Sequence, residues 1–324
     1  MSLFTALNTA GVMGINARNG NYIMRYNPRP LFPLVDDKLL SKQLSLDNGL
    51  PVPELYGVIR MLRDIRRFEQ IVEGKNDFVL KPVHGSGGNG IVVIGSRSRD
   101  RYRTTTGRIV TRDEMAHHME NTLGGQFSLG GQPDQVLVEY RVKFDPVFDN
   151  VSYLGVPDIR IIVFKGVPVM AMIRLPTRSS DGKANLHMGG VGVGIDLCTG
   201  VTINAVVGTS PVVEHPDTGA SVVGLNIPHW ETMLEIASRC YEITGLGYLG
   251  VDLVLDAALG PLILEMNARP GLNIQIANGT GLRPRLTYLE NLDLKDMTVA
   301  ERIAAGLEAT NRDPRRNSGA SPTA

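Results

Sequence analysis

Cysteine is nearly missing from this 324-residue chain. Cys198 and Cys240 stand in neither a CxxC nor a Cys/His spacing, which excludes a disulfide scaffold, a structural zinc site and a redox pair. Both are read as small core residues. No sign of charge is in surplus either, since 33 Lys and Arg balance 33 Asp and Glu. The basic excess that nucleic acid selects is absent. No window approaches the roughly 18 uncharged apolar residues of a membrane helix. Even the greasiest stretch, Tyr248 to Met266, carries Asp252, Asp256 and Glu265. A basic start followed by an apolar run and a cleavage signal is lacking too. The expectation is a cytoplasmic protein with neither nucleic acid nor membrane as partner. Internal repeats and a Ser/His/Asp or Cys/His nucleophile arrangement are also missing.

What the chain does have is 36 glycines and 19 prolines, which points to many turns and a site built from backbone. Residues 1–35, rich in Gly, Asn, Arg and Pro, read as an extended N-terminal arm. Asp36 or Asp37 caps a helix carrying Leu39, Leu40, Leu44 and Leu46, and Gly49, Pro51 and Pro53 stop it. A second helix is expected through Leu62, Ile65, Phe68, Ile71 and Val72. Short strands follow at 78–81, 91–94 and 136–140. Between the last two, Ser96 to Gly107 is exposed Arg, Ser and Thr, and a helix covers 112–123. A hairpin turns about Lys165-Gly166, and the polar stretch 174–190 is a candidate lid. A helix spans 229–244, two apolar strands fill 249–255 and 261–266, and a last helix lies near 298–307. The tail 311–324 is expected to be disordered.

The final hairpin carries the most chemistry. If Ala257 to Gly260 form a four-residue loop, Asp256 pairs with Pro261 and Asp252 falls opposite Glu265. One face then holds Val251, Leu253, Leu255, Leu262, Leu264 and Met266, and the other holds Asp252, Val254, Ile263, Glu265 and Asn267. Opposed carboxylates about 5 Å apart repel by roughly 3 kcal/mol at an effective dielectric near 20. A divalent cation reverses that sign, and two carboxylates with an amide oxygen suit magnesium completed by phosphate and water. An exposed acidic face, or a pair sharing one proton, is the alternative.

The loop Pro82-Val83-His84-Gly85-Ser86-Gly87-Gly88-Asn89-Gly90 lies between two strands. Its glycines leave amide N–H groups free to close over phosphate oxygens, and Lys81 adds a compact positive charge. It lacks the GxxxxGK[ST] order of a P-loop. On its own such a loop is equally a flexible turn.

Together these residues resemble the ATP-grasp superfamily, and within it the glutamate-ligase-related group that includes ribosomal-protein α-L-glutamate ligases. The likeness runs from about Asp36 to Gly281. Asp36-Asp37-Lys38 with Gly49-Leu50-Pro51-Val52-Pro53 resembles the family's opening helix, which makes Lys38 the first nucleotide-phosphate lysine and Lys81 the second. The nucleotide set implied further comprises His84, Gly85, Ser86, Gly87 and Gly88 of the flap and Glu139, Tyr140 and Val142 beside the base. It is completed by Asn185 and His187 at the end of the substrate loop. Asp158-Ile159-Arg160 resembles the Asp-x-Arg strand, and Glu265-Met266-Asn267-Ala268-Arg269-Pro270-Gly271 the Glu-x-Asn-x-x-Pro-Gly signature, with Asp252 as its hairpin partner. Metal ligands are therefore expected at Asp252, Glu265 and Asn267, and catalytic roles at Arg160, Arg174 and Asn267. By a two-residue hairpin register Arg174 has the opposite parity to Arg160, so both reach one site only through a bulge or bend. Lys42 is read as solvated.

The resemblance implies an α+β fold with two antiparallel lobes clasping ATP. The catalytic region would span 36–310, with a small lobe near 75–145 and a large lobe near 146–310. A reduced N-terminal region is expected, since 35 residues precede Asp36 where members carry a separate domain. Arg269 stands where the group commonly has serine, so a further anionic group is expected there. The implied reaction is carboxylate-amine ligation through an acyl phosphate, with an amino acid or peptide as acceptor. Its cofactors would be ATP with one or two magnesium ions, for which manganese can substitute. The sequence does not fix the oligomeric state, and the short N-terminal region leaves room for a homo-oligomer in which a second chain completes the site. A kinase on the same scaffold and a non-catalytic nucleotide-binding protein are the competing readings.

Overall fold

Alternating apolar residues fold into two antiparallel sheets in the computed structural model of the chain, which describes residues 7, 9–85 and 87–313. The first has six strands, β1 (Leu55–Ile59), β2 (Phe78–Pro82), β3 (Val92–Ser98), β4 (Arg101–Thr104), β5 (Ile109–Thr111) and β6 (Val136–Glu139). They lie in the order β1-β6-β2-β3-β4-β5. The second has seven, β7 (Asp158–Phe164), β8 (Val167–Leu175), β9 (Val191–Ile195), β10 (Thr202–Val207), β11 (Ser210–Val212), β12 (Tyr248–Asp256) and β13 (Gly260–Asn267). Their order is β11-β10-β9-β8-β7-β12-β13. Helices pack on these sheets, giving the expected α+β class.

Both faces of the seven-stranded sheet are covered, which explains its unbroken apolar runs. Ile161, Val163, Val251 and Leu253 face Trp230, Met233, Ala237 and Cys240 of a helix spanning Trp230–Thr244. The alternate residues Ile162, Phe164 and Met170 face Leu286, Ala305 and Ala309. The smaller sheet buries Phe78, Leu80 and Tyr102 against Phe68, Met115 and Met119. Among the described residues no helix is long and apolar enough to cross a membrane.

Several expectations need correction. The N-terminal segment is helical from Ile15 to Tyr26, including a π-helical stretch Arg18–Ile23, rather than extended. Its aromatic residues supply the reason: Tyr22 packs on Phe164 and Tyr248, and Tyr26 sets its ring edge-on to Phe164. The helix Lys38–Asp47, capped by the Asp37 carboxylate as expected, buries Ser41, Lys42 and Ser45 and exposes Leu40 and Leu46. Its polar side faces the interior because that interior is the cleft. The second helix is a 3-10 turn, Leu62–Arg67, running into one α-turn, Phe68–Ile71. The Arg, Ser and Thr stretch forms the end of β3 and all of β4, since Tyr102 inside it reaches the core. Strand β1 begins at Leu55, twenty residues before the anticipated small lobe. Asn311 closes the last helix and Asp313 is buried beside Arg285, while the rest of the anticipated tail, 314–324, lies outside the described residues.

Asn27 ties the N-terminal segment to the second sheet. Its amide donates to the carbonyls of Tyr248 and Ala268 at 2.7 and 3.0 Å and accepts the Tyr248 N–H at 2.8 Å. Removing it strands three buried backbone groups, so Asn27→Ala is expected to lower unfolding stability by about 3 kcal/mol. Urea unfolding monitored by circular dichroism measures the loss.

Candidate functional site

Register places a row of polar side chains across three strands. Glu265 on β13 pairs with Asp252 on β12, which pairs with Arg160 on β7, which pairs with Met172 on β8. A bulge between Ile162 and Val163 shifts the β7–β8 hairpin by one residue, so that Arg174 pairs with Asp158. That bulge removes the parity conflict and brings both arginines to one face.

The Asp252 carboxylate is the hub. Arg160 grips it with Nε on Oδ1 at 2.7 Å and Nη2 on Oδ2 at 2.6 Å. Arg174 Nη2 donates to Asp252 Oδ2 at 2.8 Å and to Asp158 Oδ2 at 2.7 Å, and its Nε donates to Asp158 Oδ1. Asn267 Nδ2 reaches Asp252 Oδ2 at 3.2 Å. Burial alone would raise Asp252, but the Arg160 and Arg174 guanidiniums overcome it and hold this carboxyl at about 2. At Asp158 burial is the largest influence; with the Asp252 charge it outweighs the guanidiniums and pushes the group up to about 7.

The β12–β13 hairpin reaches the anticipated Asp252–Glu265 pairing by a different path. Asp256 pairs with Gly260 rather than Pro261, and a bulge between Ile263 and Glu265 restores the register. The Asp256 carboxylate accepts the N–H groups of Ala258 and Leu259, and Gly260 takes φ +73°, which together close a three-residue loop. The bulge also exchanges faces. Ile263 joins the main core, while Leu262 and Leu264 turn to the side of Val254. There they meet Tyr140, Val142 and Val156 in a separate apolar cluster. Tyr140 and Val142 are thus together, with the Tyr140 hydroxyl donating to Asp256 at 3.0 Å.

Glu139 is buried away from that cluster, 2.6 Å from Lys81 Nζ and 3.0 Å from Lys42 Nζ. Burial opposes its charge, yet the two ammonium groups hold it below the usual carboxylate range. Lys42 is only 6% exposed, which corrects its reading as solvated, and burial lowers its pKa despite Glu139. Its spacing of four from Lys38 on one helix was the available signal. Lys38 sits at the cleft mouth, its ammonium 3.7 Å from Glu265 and donating to the carbonyl of Gly85 at 2.6 Å.

The glycine loop leaves β2 at His84, whose N–H and Nδ1 both meet the buried Asp134 carboxylate. Asp134, unanticipated, also accepts the Ser128 hydroxyl at 2.9 Å. No pattern in the polar segment around it singled it out. Gly85 bridges to Ser128, Gly87 and Gly88 take positive φ, and Ser86 lies outside the described residues. The loop touches the 176–190 segment, since a Cβ on Gly88 would lie 3.4 Å from Lys183 Cδ and one on Gly87 4.0 Å from Asn185 Nδ2. His187 is exposed, its N–H capped by Asn185, and among the described residues its ring has no hydrogen-bond or ion-pair partner. Arg269 is held by Asp36 at 2.6 and 2.8 Å and stacks over Phe32, so its charge is answered within the chain.

For a divalent ion the open donors are the half-buried Glu265 carboxylate and the Asn267 amide oxygen, because Asp252 gives both oxygens to guanidiniums. Among the described residues no three His, Cys, Asp or Glu side chains cluster closely enough to hold a metal. One carboxylate, an amide oxygen and added phosphate oxygens fit magnesium and would not fit zinc.

A family model described as sugar-transfer associated ATP-grasp matches residues 17–291. A probable alpha-L-glutamate ligase of Maridesulfovibrio salexigens is 25% identical over 238 residues, covering 73% of this chain and 56% of the relative. A ribosomal protein bS6–L-glutamate ligase of Salmonella paratyphi B is 25% identical over 256 residues, covering 77% and 61%. The chain thus spans less than two thirds of either relative. Among solved structures, the ATP-grasp ligase PsnB with its minimal precursor aligns at 17% identity and TM-score 0.44, over 86% of this chain and 64% of that one.

The Asp158 carboxyl titrates higher folded than at its ordinary 3.8, so the folded state binds more protons between about 4 and 7. Its contribution to stability is full below about 4 and fades as pH rises through 7. Denaturant unfolding across pH 4 to 8 should therefore show a smaller fall for Asp158→Asn than for wild type.

Proposed function

The chain belongs to the sugar-transfer associated ATP-grasp family, and on that premise we propose that it is an ATP-dependent ligase joining a carboxylate to an amine. The observation that carries this reading is the Glu265–Asp252–Arg160 row with Asn267 beside it, which puts the open oxygen donors of Glu265 and Asn267 next to two arginines held by Asp252. The two sheets are the two lobes, and the nucleotide lies between them. Lys38, Lys81 and the amides of the Gly85–Gly90 loop face the phosphates, and the apolar cluster of Tyr140, Val142, Leu262 and Leu264 receives the base. Glu139 acts through Lys81, holding its ammonium in place.

Glu265 and Asn267 would hold magnesium, with Asp252 bordering them; the ion would supply charge neutralisation at the phosphates. Arg160 and Arg174 are bidentate donors preset by Asp252 and Asp158, which costs no reorganisation when negative charge develops. A substrate carboxylate attacking the γ-phosphorus gives an acyl phosphate and ADP, and an amine then displaces phosphate. No side-chain nucleophile is required. The names of the curated relatives support an amino acid such as glutamate as one substrate, and an amino acid or peptide as the other. A cytoplasmic setting, a homo-oligomer, a second ion and manganese substitution belong to the same proposal.

Paired screening of carboxylates and amines for phosphate release tests it. ADP is expected only when acid and amine are both present, or when hydroxylamine replaces the amine and a hydroxamate accumulates. Lys81→Ala should lower the rate about a hundredfold. ADP formed with a phosphorylated hydroxyl product, and no need for an amine, would identify a kinase instead.

A further inference from the structure

Six arginines fall between Arg97 and Arg112, with Asp100 the one acid among them. From 82 to 142 the chain carries arginine but no lysine, whereas an ordinary solvated face mixes lysine and acid. Three of the six have answering groups. Arg97 and Arg112 lie 3.8 Å from Glu69, and Arg108 lies 3.2 Å from Glu114. Arg99, Arg101 and Arg103 are exposed, and among the described residues their guanidiniums have no hydrogen-bond or ion-pair partner.

Register shows where two of these point. Tyr102 is fully buried against Phe68 and Phe78, so Arg101 and Arg103 on either side of it take the opposite face of the sheet. Leu80 shares the core with Tyr102, while Lys81, the next residue along β2, takes the other face with Glu139. The arginines therefore continue outward the sheet face that carries Lys81. Across strands, Ser96 pairs with Arg103 and Arg103 with Ile109, and Ser98 pairs with Arg101 and Arg101 with Thr111. Each guanidinium is flanked by a hydroxyl.

We propose that this face docks an acidic peptide in extended conformation. Guanidinium forks match carboxylates bidentately, and serine and threonine hydroxyls add donors between them. Arg101 and Arg103 are separated by two residues of strand, about 7 Å, the repeat at which every second side chain of an extended peptide recurs. Single-stranded nucleic acid would require aromatic platforms, yet the aromatic residue of β4 points inward. A membrane surface would require an apolar anchor, and Ile109 alone among these paired positions is apolar.

Fluorescence anisotropy with a fluorescein-labelled decapeptide of alternating glutamate and glycine tests the proposal on the full chain. The measurement involves no turnover, so its outcome is separate from that of the ligase reading. Wild type is expected to bind, more weakly as salt screens the contact. Arg101→Glu/Arg103→Glu should weaken binding by about tenfold or more while the thermal unfolding midpoint and ATP affinity stay unchanged. Should that variant fold poorly, Arg101→Gln/Arg103→Gln serves in its place, with the same direction. Absence of peptide binding, equal affinity in wild type and variant, or tighter binding of a single-stranded oligonucleotide or phosphatidylserine vesicles would overturn the proposal.

Discussion

One carboxylate organises the centre of this molecule. Asp252 is buried on β12, the strand beside the edge strand of the seven-stranded sheet, and accepts hydrogen bonds from two guanidiniums and an amide. An isolated charge at that depth is costly, and the pairing with Arg160 and Arg174 offsets the cost. Arg174 in turn has a second acceptor, the buried Asp158 carboxyl. Two strand irregularities serve this cluster. The β7–β8 bulge brings Arg174 to the face of Arg160, and the β12–β13 bulge returns Glu265 to the level of Asp252.

Beside the cluster, Glu265 lines a pocket whose other parts come from distant sequence. The helix Lys38–Asp47 lays Lys38 toward Glu265 and the glycine loop, and buries Lys42 against Glu139 of the other sheet. Asp134 fixes the stem of the loop through His84. Ion pairs and backbone hydrogen bonds thus link the two sheets at the place where phosphates would sit. The Arg160–Asp252 pair also gives the proposed chemistry its donors already oriented, which is how a site acts without a nucleophile of its own.

Much of this was legible in the sequence because it depends on strand parity and on turn residues. The Asp252–Glu265 pairing is expected through a four-residue loop that the structure replaces with a three-residue loop and a bulge, whereas the Lys165-Gly166 hairpin and the need for a bulge before Arg174 follow from a period of two. The location of the bulges does not, because an inserted residue reverses faces without a compositional mark. Leu262 and Ile263 exchanged sides for that reason. The helical N-terminal segment was hidden because Tyr22 and Tyr26 act through distant Phe164 and Tyr248. Lys42 was misread because a buried polar helix face looks solvated until the opposing Glu139 is known. Asp134 carried no signal at all, since its partners are fifty and six residues away.

The central claim is that the open donors beside Asp252 make nucleotide binding depend on a divalent cation. Calorimetric titration of ATP into wild type and Glu265→Gln, each in magnesium and in EDTA, tests it most directly. The account predicts that wild-type affinity falls by about tenfold or more in EDTA and that the variant binds as weakly with magnesium as without it. Equal affinity in all four titrations would contradict it.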